Sequence, residues 1–115
     1  MTQTANPWIT FEEGTSIGQR GSEKGVIVRD EEYPHCARIT LERNSETAPF
    51  AITCGLYGWM VHTRFFSDQE TAEQDFREMK TDLTRIVDLI PDERNFEQDE
   101  PTAVRAIHEF VERFP

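Results

Sequence analysis

The fold of this chain is decided by residues 25–87, which read GVIVRDEEYPHCARITLERNSETAPFAITCGLYGWMVHTRFFSDQETAEQDFREMKTDLTRIV. Four short segments of this stretch alternate apolar and polar residues with a period of two, which is typical of half-buried strands. The last part changes to a period near 3.6 residues, which indicates an amphipathic helix. The stretch therefore predicts an antiparallel sheet followed by a helix, and so an α+β fold.

Four strands are predicted from the alternation, at residues 25–30, 36–43, 49–54 and 59–66. The connections between them are short, and short connections favour hairpins between consecutive strands. The sequence thus predicts a four-stranded antiparallel meander. Residues 7–12 contain Trp8, Ile9 and Phe11 and are a candidate for a fifth strand at the edge of the sheet.

The register of these strands is predicted from the hydrophobic pattern, because a slip of one residue turns every side chain to the other face. The predicted pairs are Asp30 with Ala37, Leu41 with Phe50, and Cys54 with Trp59. The predicted core face then holds Val26, Val28, Ala37, Ile39, Leu41, Phe50, Ile52, Cys54, Trp59, Val61 and Phe65. The predicted outer face holds Ile27, Arg29, Arg38, Thr40, Glu42, Ala51, Thr53, Met60, His62 and Arg64. An apolar face opposite a mixed one is typical of an antiparallel sheet covered on one side.

Two C-terminal helices are predicted to cover the core face. The first begins near Ser67, which forms a capping box with Glu70, and it ends at Pro91. Its apolar stripe consists of Ala72, Phe76, Met79, Leu83, Ile86, Val87 and Ile90. The second helix begins at Pro101, after a charged connector at residues 92–100. Its stripe consists of Val104, Ile107, Val111 and Phe114.

The length of 115 residues suits one domain, so residues 1–115 are predicted to form a single α+β domain. Residues 1–24 are expected to be flexible or weakly structured, because they are polar and glycine-rich. No apolar run approaches the roughly 20 residues of a membrane span, and no signal peptide is readable at the N-terminus. We therefore expect no membrane association and a cytoplasmic location.

The net charge of −10 arises from 22 acidic and 12 basic residues, and the excess is concentrated in residues 68–115. A chain this acidic is repelled by phosphate backbones, so we expect no nucleic-acid partner. The acidity instead favours a solvated helical face or attraction to a basic partner.

No chemistry of catalysis or metal binding is predicted. The register puts Cys54 on the core face and Cys36 on an outward turn, so both thiols are expected to be free. The further metal ligands available are His35, His62 and His108. By ordinary sheet spacing, His62 would lie about 14 Å from the adjacent residues His35 and Cys36. We expect no metal, no cofactor and no catalytic residue, since no nucleophile–base pair or phosphate-binding motif is present.

Two features indicate an interaction surface. The predicted outer face has an apolar middle with an arginine-rich border, as protein interfaces do. Its candidate residues are Ile27, Arg29, Arg38, Met60, His62 and Arg64. The second feature is the hairpin tip with Leu56 and Tyr57, which either anchors a partner or folds back on Trp59.

The function expected from these features is that of a small, acidic, non-catalytic interaction module that binds a protein partner or associates with itself as a homodimer. The alternative is a small-ligand-binding protein or an enzyme with a pocket between sheet and helices. The two are separated by whether the core beneath Cys54, Trp59 and Met79 encloses a polar cavity or is filled.

Overall fold

The computed structural model describes residues 7–90 and 96–115, without the side chains of residues 96–100. An antiparallel sheet of five strands in the order β1-β2-β3-β4-β5 is followed by two helices, α1 and α2. The strands are β1 (Ile9–Thr10), β2 (Val26–Tyr33), β3 (Ala37–Arg43), β4 (Phe50–Leu56) and β5 (Met60–Phe66). The predicted α+β meander is confirmed, with β1 as its fifth, edge strand.

The helices differ from the prediction at their ends. Helix α1 (Gln69–Val87) is capped by Asp68 rather than Ser67, because the Asp68 side chain accepts a hydrogen bond from the Thr71 amide at 2.8 Å. Helix α2 (Phe96–Arg113) begins before Pro101 and contains it, so the predicted start was wrong. The predicted end at Pro91 lies outside the described residues. Neither described helix is long and apolar enough to cross a membrane.

The core lies between the helices and one face of the sheet. The strands contribute the fully buried residues Ala37, Ile39, Leu41, Ile52, Cys54 and Leu56. Helix α1 contributes Ala72, Phe76, Met79, Leu83 and Ile86 from the predicted stripe. The predicted stripe of α2 was partly wrong, because Ala103, Ala106 and Phe110 are buried with Ile107 and Phe114, while Val104 and Val111 are each 37% exposed.

The register of β5 is shifted by three residues from the prediction, because Cys54 lies opposite His62 instead of Trp59. The hairpin turns through residues 57–59, where the Trp59 amide donates to the Leu56 carbonyl oxygen at 2.8 Å and Gly58 has a φ of 82°. Leu56 therefore pairs with Met60, and every side chain of β5 changes face. Met60, His62 and Arg64 lie on the helix side, and the predicted core residues Val61 and Phe65 lie on the outer face.

A β-bulge shifts the register of β2 as well. The pairing with β3 changes between Ile27 and Arg29, so that Arg29 lies opposite Leu41 and on the helix side. There its guanidinium donates two hydrogen bonds, of 2.5 and 2.9 Å, to the Glu73 carboxylate of α1. The predicted pair of Asp30 with Ala37 was therefore wrong. Asp30 pairs with Thr40 on the outer face.

The pairing of β3 with β4 is shifted by two residues from the prediction. Leu41 lies opposite Ile52, and Arg43 lies opposite Phe50. A shift of two residues leaves each side chain on its predicted face, because strand side chains alternate with a period of two. Both strands therefore face the core as expected.

Residues 11–25, here called the N-terminal segment, cross from the helix side to the outer face. Trp8, just before them, is buried in the core, where its ring meets Tyr33 edge-on and its indole N–H donates to Thr84 Oγ1 at 2.7 Å. The segment then runs back along β2, because the amides of Gly18 and Ile27 form hydrogen bonds with the carbonyl oxygens of Ile27 and Gln19. The N-terminal segment thus covers part of the outer face.

A buried carboxylate attaches the N-terminal segment to the sheet. Glu42 of β3 lies on the outer face with no exposed surface. Its carboxylate accepts hydrogen bonds from the amides of Gly25, at 2.9 Å, and Glu23, at 3.2 Å. Gly21 lies against the same carboxylate, and a Cβ atom at this position would displace it. The prediction that residues 1–24 are flexible stays a prediction.

Candidate functional site

An open groove of about 720 Å³ lies on the outer face of the sheet. One wall is the N-terminal segment, and the other is the end of the β4–β5 hairpin at residues 56–61. The volume lies in the range of roughly 300–1,000 Å³ that is usual for the binding pockets of small molecules. The groove is therefore the candidate functional site among the described residues.

The groove exists because Gly55 has no side chain in the middle of the outer face. In the row of paired residues across the sheet, Gly55 lies between Arg38 on β3 and Val61 on β5. A Cβ atom at position 55 would lie 3.4 Å from the Met60 carbonyl oxygen, which is an ordinary contact. A larger side chain at Gly55 would project into the groove and fill it.

A polar row crosses the outer face beside Gly55, and its middle residues, Thr40 and Thr53, line the groove. Asp30, Thr40, Thr53 and Thr63 lie opposite one another on β2, β3, β4 and β5. The hydroxyls of Thr53 and Thr63 are 3.3 Å apart, and the Thr40 hydroxyl donates to the Thr53 carbonyl oxygen at 3.4 Å. These hydroxyls are weakly paired, so they can also bind a ligand.

An ion pair occupies the β2 end of the groove. The Arg38 guanidinium donates hydrogen bonds of 2.9 and 2.6 Å to the Asp30 carboxylate, which has no exposed surface. Ser16 donates to the same carboxylate at 2.7 Å, and the Phe11 ring centroid lies 3.6 Å from the guanidinium carbon. The hydrogen bond to Asp30 raises the pKa of Arg38 above its usual value. Arg38 is therefore a neutralised cation that holds the N-terminal segment on the sheet.

Tyr57 forms the rim of the groove at the hairpin tip. Its hydroxyl donates to the Glu32 carboxylate of β2 at 2.7 Å, so the side chain folds towards β2. Burial and the hydrogen bond to Glu32 raise the pKa of Tyr57 to about 12. The ring remains 45% exposed, and Leu56 beside it is buried in the core. Of the two tip residues, only Tyr57 is accessible to a partner.

The structure divides the eight residues predicted for the interaction surface. Ile27, Arg38 and Tyr57 lie around the groove, and Ile27 is only 6% exposed. The other five lie on the helix side, namely Arg29, Leu56, Met60, His62 and Arg64. Met60 also reaches the groove at the hairpin end, although its side chain packs against the core. The face assigned to Arg29, Met60, His62 and Arg64 was wrong because of the bulge and the shorter turn.

The residues of β5 on the helix side have partners in the helices. Arg64 donates to the Asp75 carboxylate of α1. The Nε2–H of His62 donates to the Phe114 carbonyl oxygen, and its ring lies edge-on to Phe110 of α2. These contacts attach β5 to both helices, so His62 and Arg64 are structural in this arrangement.

Sequence reasoning missed three residues that shape the groove. Phe11 belongs to its wall, Gly55 leaves it open, and Val61 is 82% exposed at its rim. The sequence signal for Gly55 is a glycine in the middle of an alternating strand, which often marks a close approach to the backbone. If the sequence analysis had assumed a three-residue turn centred on Gly58, it would have assigned Val61 to the outer face.

Neither cysteine thiol is activated. Burial raises the pKa of the Cys54 thiol to about 12, and burial also raises the pKa of the Cys36 thiol. Both cysteines are free thiols, as expected. The described residues contain no group of three histidine, cysteine or acidic side chains that could bind a metal ion. Met79 and Leu83 of α1 are fully buried and belong to the same hydrophobic core cluster as Cys54.

Comparisons of the chain with protein-family models, with curated proteins and with solved structures found no significant match.

Proposed function

We propose that the protein is a non-catalytic interaction module that binds a segment of a protein partner in the groove on the outer face. The observation that carries the proposal is an open groove of about 720 Å³ on the outer face of the sheet. An extended segment can lie along the open groove and insert apolar side chains beside Gly55, where Phe11 and Val61 line the walls.

The chemistry of the groove supports binding rather than catalysis. Thiolates are the reactive form of cysteine, and the raised pKa of Cys54 keeps this thiol protonated near neutral pH. The raised pKa of Tyr57 likewise disfavours a proton transfer near neutral pH. Arg38 is neutralised by Asp30, so it is not free to stabilise a developing negative charge.

The charge of the chain supports a protein partner over a nucleic acid. A net charge of −10 repels phosphate backbones, and of the two arginines that line the groove, Arg20 and Arg38, the second already has a carboxylate partner. We include a cytoplasmic location in the proposal, because two free thiols fit a reducing compartment.

The test uses a variant that fills the groove. A phage-displayed library of random peptides is selected on the wild-type protein, and the enriched peptides are titrated by fluorescence anisotropy. The variant Gly55→Val is expected to weaken peptide binding by at least about tenfold, since one desolvated apolar side chain contributes that much. Valine suits a strand, so the circular dichroism spectrum and the midpoint of unfolding are expected to be the same as in the wild type.

The matched control is Ile17→Ala, which removes an exposed apolar side chain of the N-terminal segment outside the groove. Binding is expected to be unchanged in this variant. Equal affinities for wild type and Gly55→Val would contradict the proposal. A second contradicting result would come from an NMR screen of small organic fragments. If fragments bind at the groove and no library peptide does, the small-ligand alternative is favoured.

A further inference from the structure

The two edges of the sheet are covered differently. The β2 edge pairs with β1 at one end, through Ile9 and Thr10, and with residues 18–20 at the other. Strand β5 pairs only with β4, and no backbone hydrogen bond of the described residues reaches its other side. An edge of this kind presents a row of free amide and carbonyl groups to another chain.

Strand β5 has few of the devices that usually protect an exposed edge, and its one charged residue, Arg64, points to the helix side and is paired with Asp75 of α1. The strand is seven residues long, it contains no proline, glycine or lysine, and its pairing with β4 has no bulge. Two of its outer-face side chains are exposed, Val61 at 82% and Phe65 at 39%. The strand carries no carboxylate although the chain has a net charge of −10, so a second acidic chain is not repelled locally.

The sequence of β5 is self-complementary about Thr63. If two copies of β5 pair antiparallel with Thr63 opposite Thr63, Val61 of each copy lies opposite Phe65 of the other on the outer face. Pairs of aromatic and β-branched residues stabilise antiparallel sheets, and so do pairs of threonines. The three outer-face positions of β5 thus match a second copy of themselves.

Helix α2 presents a second apolar row on the same side of the molecule. The helix lies on the β5 side of α1, because Phe110 and Phe114 contact His62 while Arg113 approaches Asp82 of α1 at 3.9 Å. At 3.6 residues per turn, Val104 and Val111 lie about 180° and 160° around the helix from Arg113. Both valines, each 37% exposed, therefore lie on the flank of α2 that points away from α1 and towards the open edge.

We propose that two copies of this chain form a dimer through their β5 edges, with a twofold axis at Thr63 and one continuous antiparallel sheet. The valine row of α2 then packs against the same row of the second copy beneath the sheet. The proposal goes beyond the proposed function, because it uses the backbone edge of β5 and the α2 flank, and of its residues Thr63, Phe65, Val104 and Val111 lie outside the groove while Val61 lies at the groove's rim. An interface of this kind is isologous, so each copy contributes the same residues.

The first test is the oligomeric state of the full chain by sedimentation equilibrium. The wild type is expected to be a dimer, and Val61→Glu is expected to weaken the dimer by roughly 100-fold, because each copy then places a carboxylate against an apolar partner in a desolvated position. The control is Ile9→Glu, which changes an apolar side chain that is 53% exposed at the opposite edge. Its dimer is expected to be as stable as that of the wild type.

The second test is the register, in a Cys36→Ser background. Residues directly opposite each other have Cα atoms roughly 4.5–5.5 Å apart, which permits a disulfide. Thr63→Cys is therefore expected to form a covalent dimer on oxidation. Val61→Cys is not expected to do so, because its two copies lie roughly 13 Å apart along the paired strands.

Three results would overturn the proposal. They are a wild-type monomer at all concentrations, a dimer that Val61→Glu leaves intact, and a covalent dimer of Val61→Cys without one of Thr63→Cys. The Gly55→Val variant separates this proposal from the proposed function, since it is expected to lose peptide binding and to keep the dimer.

Discussion

The two edges of this sheet belong to one meander, but they differ in how far other residues of the chain cover them. At the β2 edge, the residues before the strand return to pair with it and to cover the adjoining outer face. At the β5 edge, the chain leaves directly into α1 beneath the sheet, and α1 begins only three residues after Phe66. The β2 edge is covered because the residues that precede β2 fold back and pair with it. Among the described residues, none pairs in this way with the open side of β5.

The covered edge is also the more strongly anchored one. Three buried side chains attach the N-terminal region there. Trp8 packs in the core, Asp30 accepts a hydrogen bond from Ser16, and Glu42 accepts hydrogen bonds from the amides of residues 23 and 25. At the open edge, the outer-face side chain of Val61 contributes no comparable contact. Substitutions are therefore expected to change the free energy of unfolding at the β2 edge and the association of chains at the β5 edge.

The largest expected effect is that of Trp8→Ala. This substitution removes a buried ring and its hydrogen bond to Thr84, so the free energy of unfolding is expected to fall by about 3–5 kcal/mol. Val61→Ala at the open edge is the comparison, with an expected change within about 0.5 kcal/mol. Urea denaturation at a low protein concentration measures both. Similar losses for the two variants would remove the difference between the edges.

A smaller effect is expected for Arg38→Ala. It leaves the buried Asp30 carboxylate with Ser16 as its remaining side-chain partner, which is expected to cost about 3 kcal/mol. The control is Lys24→Ala, because the ion pair of Lys24 with Glu46 is exposed to solvent, and its loss is expected to cost less than about 1 kcal/mol. Thermal unfolding by differential scanning calorimetry distinguishes the two. Equal midpoints would show that the buried pair does not anchor the N-terminal segment.

Two glycines of the outer face are expected to respond in opposite directions. Gly21→Ala forces the Glu42 carboxylate away from its amide donors and is expected to cost about 1–2 kcal/mol. Gly55→Ala meets only ordinary contacts, and it is expected to leave stability unchanged or to raise it by about 0.5 kcal/mol. Chemical denaturation of both variants is the measurement. A stable Gly21→Ala protein would show that Glu42 repositions without loss.

The smallest effect concerns acid stability at the covered edge. The hydrogen bonds from Arg29 lower the pKa of Glu73 below its usual value. A lowered folded-state pKa contributes stability above the unfolded-state pKa, and this contribution is lost as the pH falls through the folded-state pKa. Glu73→Gln is therefore expected to flatten the decline of stability below about pH 5, by less than about 1 kcal/mol because the pair is partly exposed. Glu70→Gln, at an exposed position of α1, is the control, and an equally flattened profile would contradict the assignment.

The sequence predicted the composition of the core better than the position of the candidate site. The faces of β3 and β4 follow from Ile39, Leu41 and Ile52, whose alternation with polar residues permits a single assignment. The face of β5 does not follow in this way, because Met60 and Val61 are both apolar and Phe65 and Phe66 are as well. A difference of one residue in the length of the β4–β5 turn therefore decides whether Met60 or Val61, and whether Phe65 or Phe66, faces the core.

By itself, the sequence determined the class of fold, the order of strands and the inward stripe of α1, because these depend on local periodicity. Tertiary structure alone decided the bulge in β2 and the return of the N-terminal segment over the outer face. These features depend on contacts between residues far apart in the chain, such as Trp8 with Thr84 and Ser16 with Asp30. The groove and the open edge result from those contacts, and local periodicity carries no information about them.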